Sequence, residues 1–377
     1  MHLSNIKISY RALCLVPILL SACGGGSSGS VAAPGTTTVR SAYVANYGDN
    51  TISQYTIDAT GALTPKVPAT VASGAGPTSI TVDPTGKHAY VANSFGAEIS
   101  QYTIGAGGGL VPMTPATVLS GSTGSGPTSV AVDPSGKYTY AANSSNDTVS
   151  QFTIGAGGGL VPMTPATVLS GTGYPGPVSI TVDPTGKHAY VVNQAANTVS
   201  QFTIGTGGAL TAMNTATVAT GTSPISVTVD PFGKYAYVAN YGGNTISQYN
   251  IVAGVLMPMS PSAATSSLLS APTSVGIDPT GKYAYVANSA GVSQFLIDAT
   301  TGVLTAMNPP WASITGGFTP QSITVDATGK YVYVAVYNSN YVAQFSIGTG
   351  GLLTAMATPT VAAGSLPYSV TTAVSIQ

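Results

Sequence analysis

A four-residue phrase, Tyr-Val-Ala-Asn, restricts this chain more than any other feature. Exact or lightly varied copies begin at Tyr43, Tyr90, Tyr140, Tyr190, Tyr237, Tyr285 and Tyr333, at spacings of 47, 50, 50, 47, 48 and 48 residues. Each copy is followed by Gln and an aromatic residue: Tyr55, Tyr102, Phe152, Phe202, Tyr249, Phe295 and Phe345. Ahead of six copies stands a Ser-[Ile/Val]-x-[Val/Ile]-Asp run, ending at Asp83, Asp133, Asp183, Asp230, Asp278 and Asp326. A fixed period of this length is the signature of a unit that buries its apolar surface only against copies of itself. Each period holds four short β-rich runs: A (like SITVD), B (like HAYVAN), C (like TVSQFTI) and D (like TPATV). Four antiparallel strands per unit, seven units: the sequence predicts an all-β, seven-bladed β-propeller.

The ends of the chain support a closed ring over an open solenoid. Pro367 to Gln377 reads as a strand A with nothing after it, and Ser41 to Asn46 as a strand B with nothing before it. Pairing the two completes the first blade and removes both free edges.

Charge is scarce, at 6% of residues with a net charge of −1, so no basic surplus exists to hold nucleic acid. Nearly all of it falls in one turn. DPTGK and its variants form the A–B hairpin, with Asp at the first turn position, Pro fixing φ and Gly taking a left-handed φ. Lys87, Lys137, Lys187, Lys234, Lys282 and Lys330 share one slot, which Arg40 fills in the first blade. His88 and His188 occupy a slot held elsewhere by Tyr, so they read as packing residues and not as bases. IGAGGGL lies between two strands with no helix behind it, so it reads as a hairpin and not as a phosphate loop.

Three acids are left over: Asp49, Glu98 and Asp147, all in B–C turns of the first three blades. They are the weak candidates for a catalytic or cation site, Ca²⁺ being the cation that oxygen ligands suit. The alternative is that Glu98 and Asp147 replace the turn-capping Asn seen at Asn50, Asn197 and Asn244. Tyr47, Phe95, Tyr241 and Tyr337, with Trp311 and Phe318, are expected on the same B–C face. There they are candidates for stacking on a sugar or peptide.

The N-terminus reads as an export signal, with Lys7 and Arg11 ahead of a short apolar run from Ala12 to Leu20. Leu20 to Cys23 (LSAC) resembles the lipobox of bacterial lipoproteins. That resemblance implies a signal over 1–22, lipid on Cys23, a Gly/Ser-rich tether over 23–38 and the propeller over 39–377. Cys14 would leave with the signal. Gly24 after the Cys is similar to the pattern that sends enterobacterial lipoproteins to the outer membrane, on its periplasmic or surface side.

The repeat P-x-S-[IV]-x-V-D-P-x-G-K-x-x-Y-V-A-N followed by N-T-[IV]-S-Q-[FY] resembles the YVTN propellers and the seven-bladed propeller lactonase family. The resemblance covers about Arg40 to Gln377 and implies the fold and, by the family's named activity, 6-phosphogluconolactonase chemistry. The strands that would line the channel read SITVD, SVAVD, SVTVD, SVGID and SITVD, and no Arg or His there falls outside the repeated turn. The favoured reading is therefore a membrane-tethered, monomeric binding scaffold that shows its B–C face to a protein or glycan. A lactone hydrolase working from the acidic rim and a structural cell-envelope protein are the alternatives.

Overall fold

The computed structural model describes residues 38–376, apart from 172–175, 267–268, 315 and 317–318. The expected signal, Cys14, Cys23, the tether up to residue 37 and Phe318 lie outside the described residues.

The described strands form seven four-stranded sheets. Blade 2 shows the pattern: A is Pro77–Val82, B His88–Asn93, C Glu98–Ile104 and D Leu110–Leu119, each antiparallel to the next. Blade 1 takes its strand A from the far end of the chain. Pro367–Ile376 pairs with Thr38–Asn46 along its whole length, from Ile376 opposite Thr38 to Pro367 opposite Asn46. The ring is closed as expected. Blade 1 has no A–B hairpin Asp of its own, and Arg40 compensates across the seam. It donates to Asp326 of blade 7 at 2.7 Å and lies 5.4 Å above the Tyr331 ring.

Strand B explains why the YVAN phrase is so uniform. It is covered on both faces by neighbouring blades, so it is buried almost end to end and shows no inside–outside alternation. Seven apolar clusters result, one in each wedge between blades. Tyr43, Ala45 and Ile52 of blade 1, for example, pack on Ile80, Val91 and Tyr102 of blade 2. The largest buried side chains are the tyrosines of strand B and the aromatics of strand C, where the wedge is wide enough for rings.

Two buried polar residues per blade fasten one blade to the next. The strand-B tyrosine donates its hydroxyl to a glycine carbonyl in the next blade's C–D turn: Tyr90 to Gly158 at 2.6 Å, Tyr285 to Gly351 at 2.7 Å, and Tyr333 back to Gly61 at 2.7 Å. The Gln before the strand-C aromatic spans further. Gln101 Nε2 donates to Pro115 O of its own outer strand at 3.2 Å, while its Oε1 accepts from Leu160 N of blade 3 at 2.6 Å. The same pair of bonds recurs at all seven blades, ending with Leu63 N on Gln344. A buried amide satisfied on both sides costs little and fixes the geometry.

The repeated Asp is a turn residue. Asp83 Oδ1 accepts from the amides of Lys87 and His88 at 2.8 and 2.9 Å, and its Oδ2 accepts from Thr85 Oγ1 at 2.6 Å. These bonds hold its carboxyl below the usual range against the opposing effect of burial. His88 Nδ1 lies 3.1 Å from Oδ2 of the same carboxylate, which accepts from it in the tautomer with the proton on Nδ1. Its ring fills the space beside Gly158 of the next blade, where a Cβ would overlap it, as Tyr138 fills the space beside Gly208. His and Tyr thus do one packing job in this slot.

Outer strands are longer than the TPATV run suggested. Leu110–Leu119 begins four residues earlier and bulges opposite strand C between Ser100 and Tyr102. Trp311 belongs to such a strand, opposite Ser293 on the side wall of blade 6, and does not reach the axis.

Candidate functional site

On the B–C face the seven A strands begin around the axis and enclose a cup of about 360 Å³. Its walls repeat. The serine of each S-[IV]-x-[VI] run lines it, Ser79, Ser129, Ser179, Ser226, Ser274 and Ser322, and so does the equivalent Ser369 of the last strand. The residue just before each serine varies: Thr78, Thr128, Val178, Ile225, Thr273, Gln321 and Tyr368. Gln194 and Tyr241 reach in from B–C turns. Among the described residues, no Asp, Glu, His, Lys or Arg lines the cup.

The invariant serine has a structural job. Its Oγ accepts the backbone N–H of the next blade, as Val130 N on Ser79 and Ile180 N on Ser129, both at 3.2 Å. Six of the seven junctions show this bond, at 3.2–3.4 Å. The variable residue takes no such N–H, though Thr78, Thr128 and Thr273 each donate to a proline carbonyl of the next blade.

An aromatic shelf stands at one side of the mouth. Tyr47 lies 5.4 Å from Phe95, 6.3 Å from Tyr337 and 6.0 Å from Tyr368, and Tyr337 meets Tyr368 edge-on at 5.9 Å. Phe95 is 73% exposed. The Tyr368 hydroxyl has its pKa raised by burial, and further by the neighbouring Tyr337 and Tyr47 phenols, so it stays protonated near neutrality. Three of the four expected aromatics therefore meet, and Tyr241, 48% exposed, stands separately at the cup wall. Tyr368 was missed by sequence reasoning. Its signal was available, since it is the largest departure in the slot that otherwise holds Thr, Val, Ile or Gln.

The three acids do not converge. Among the described residues, no group of three His, Cys, Asp or Glu side chains is placed to share a metal ion. Asp49 accepts from Thr51 Oγ1 at 2.7 Å and from Ser365 N at 2.9 Å, which spends its carboxylate at the joint between the last connector and the first blade. Asp147 has φ +56° and takes the left-handed slot of Asn50, Asn197 and Asn244. Glu98 does not. Ala97 holds that slot in blade 2, and Glu98 opens strand C where blades 1, 3, 4 and 5 have Thr, beside Gly74. The three side chains occupy three different positions of three separate turns, and none lines the cup.

The family described as "Lactonase, 7-bladed beta-propeller" matches residues 33–204, 164–262 and 259–368. No curated protein matches the sequence. A candidate 6-phosphogluconolactonase from Bacteroides uniformis superposes with a TM-score of 0.76 at 20% identity, over 89% of this chain and 99% of that one. The periplasmic gluconolactonase PpgL of Pseudomonas aeruginosa gives 0.75 at 18%, over 89% and 99%. A protein from Lactobacillus plantarum gives 0.75 at 20% over the same shares. At such identities the likeness is one of fold.

Proposed function

The chain belongs to the lactonase family of seven-bladed β-propellers, and from that premise we propose that it is a carbohydrate-binding member without catalysis. In this reading lipid on Cys23 tethers it to a membrane, the outer membrane by the residue that follows, and its ligand sits on the B–C face. The observation that carries the reading is the pairing of an uncharged, hydroxyl- and amide-lined cup with the aromatic shelf of Tyr47, Phe95, Tyr337 and Tyr368. Sugar rings have apolar faces that stack on aromatics and hydroxyls that exchange hydrogen bonds with Ser, Thr and Gln. A hydrolase needs a base within hydrogen-bond reach of its water. The described lining of the cup offers hydroxyls, amides, two aliphatic side chains and the phenols of Tyr241 and Tyr368, the latter of raised pKa. Family membership carries the fold, and the site decides the chemistry.

The test is titration calorimetry of the purified protein with neutral oligosaccharides. Saturable binding that Tyr47→Ala and Tyr337→Ala each weaken about tenfold, or 1.4 kcal/mol, supports the reading. No saturable binding overturns it and favours a structural role in the envelope. The family's activity supports a second reading, lactone hydrolysis from the rim. Acid release from sugar lactones that disappears in the Asp49→Asn, Glu98→Gln, Asp147→Asn variant would establish it.

A further inference from the structure

We infer that the seven axial serines form an anion-binding ring, which takes the carboxylate of an acidic sugar whose ring rests on the aromatic shelf. The inference rests on the carbohydrate reading and goes further by naming the charge of the ligand. A serine hydroxyl has one hydrogen to donate and two lone pairs to accept with. At six junctions one lone pair already receives a backbone N–H from the next blade. That donation draws electron density from Oγ, making it a poorer cation ligand and its O–H a better donor. Among the described residues, none of the seven hydroxyls donates to a protein acceptor, so seven O–H groups remain for whatever occupies the cup.

Charge agrees with this polarity. Among the described residues, the cup wall holds no carboxylate to repel an anion. It also holds no Lys or Arg, so recognition would come from hydroxyl dipoles and the N–H groups behind them, as in sites where oriented neutral donors hold an anion. Tyr368 joins the two halves, because its ring belongs both to the shelf and to the cup wall. A ligand that bridges them carries a sugar face on one side and a carboxylate on the other.

Three probes separate the parts: glucuronate for sugar and carboxylate together, glucose for the sugar without the carboxylate and acetate for the carboxylate alone, each titrated at low ionic strength. The ring variant is Ser179→Asp with Ser322→Asp, because a carboxylate still accepts the N–H of Val227 or Val370 but cannot donate. Retained circular dichroism and thermal midpoint check that it folds. The expected result is glucuronate binding about tenfold or more tighter than glucose. In the ring variant glucuronate loses more affinity than glucose does, so that advantage vanishes. Equal binding of glucuronate and glucose overturns the ring and leaves the carbohydrate reading standing. Acetate binding as tight as glucuronate supports the ring and overturns the shelf. Binding of neither acid overturns the inference outright.

Discussion

The seam where the ring closes lacks one hydrogen bond, and restoring it is a sharp test of how the blades are joined. In blades 2, 3 and 4 the strand-B asparagine accepts through Oδ1 from a connector serine: Asn93 from Ser73 at 2.9 Å, Asn143 from Ser120 at 2.7 Å, Asn193 from Ser170 at 3.2 Å. Asn46 of blade 1 keeps its donor bonds to Thr51 and Ser53, yet its Oδ1 is buried without a partner. The connector position there is Ala363. Its backbone is already placed, since Ala363 N donates to Asn340 O at 2.9 Å just as Ser73 N donates to Asn50 O at 2.9 Å. Ala363→Ser should therefore supply the missing donor without moving the chain. A net buried hydrogen bond is worth about 1 kcal/mol, and relief of an unsatisfied acceptor raises the gain to about 2. The mirror change, Ser120→Ala, orphans Asn143 Oδ1 and should cost about 1–3 kcal/mol. Urea unfolding followed through Trp311, the single tryptophan, and in parallel by circular dichroism reads both values and checks two-state behaviour. The reasoning fails if Ser120→Ala destabilises as expected while Ala363→Ser leaves the midpoint unchanged or lowers it.

Other outcomes follow from the same fasteners. Gln151→Leu strands the buried Leu210 N–H and the Pro165 carbonyl, and should lower stability by about 2–5 kcal/mol in urea. His88→Tyr and His188→Tyr should stay within about 0.5 kcal/mol of the parent, because Tyr fills this slot elsewhere. By contrast Gly158→Ala, which drives a Cβ into the His88 ring at φ +82°, should be strongly destabilising in the same assay. Burial pushes the phenols of Tyr43, Tyr55 and Tyr249 up to about 12, against about 10 when unfolded. The folded state then keeps protons that the unfolded state releases, so this stabilisation is complete below pH 10 and is lost as pH rises from 10 to 12. A urea midpoint that holds steady across that window would contradict the burial of those hydroxyls. Millimolar Ca²⁺ should leave the thermal midpoint unchanged, since Asp49, Glu98 and Asp147 do not share a site, and a calcium-dependent rise would count against that.

The fold was legible because it is written many times over. The period, the hairpin Asp and the half-repeats at the two ends each pointed to a closed seven-bladed ring, and the structure shows that ring. The Gln of the S-Q-aromatic phrase was visible too, but its reach to the next blade's backbone was not. Spacing along one chain does not say which strand of the neighbour lies alongside. The acids do not gather into one group for a related reason. Counting residues from YVAN placed all three in B–C turns, yet one residue of offset inside a tight turn separates Asp49, Asp147 and Glu98 into different slots. Ala97 in the left-handed position is what displaces Glu98. The cup was harder still. Its serines are part of the repeated phrase, so they read as scaffold, and only the variable residue beside them marks the wall that faces a ligand.

The Tyr and Gln fasteners end on main-chain atoms of the adjoining blade, a glycine carbonyl and a leucine amide. At those two joints a blade asks nothing of its neighbour's side chains beyond apolar bulk and a glycine in the C–D turn. Copies can be duplicated, exchanged or left to drift without breaking the joint. The near-identity of Ser100 to Gly121 and Ser150 to Gly171, differing only at Tyr102 and Phe152, fits a module recently copied. The joints that hold the ring together are thus also what leave its upper loops free to acquire a new ligand one blade at a time.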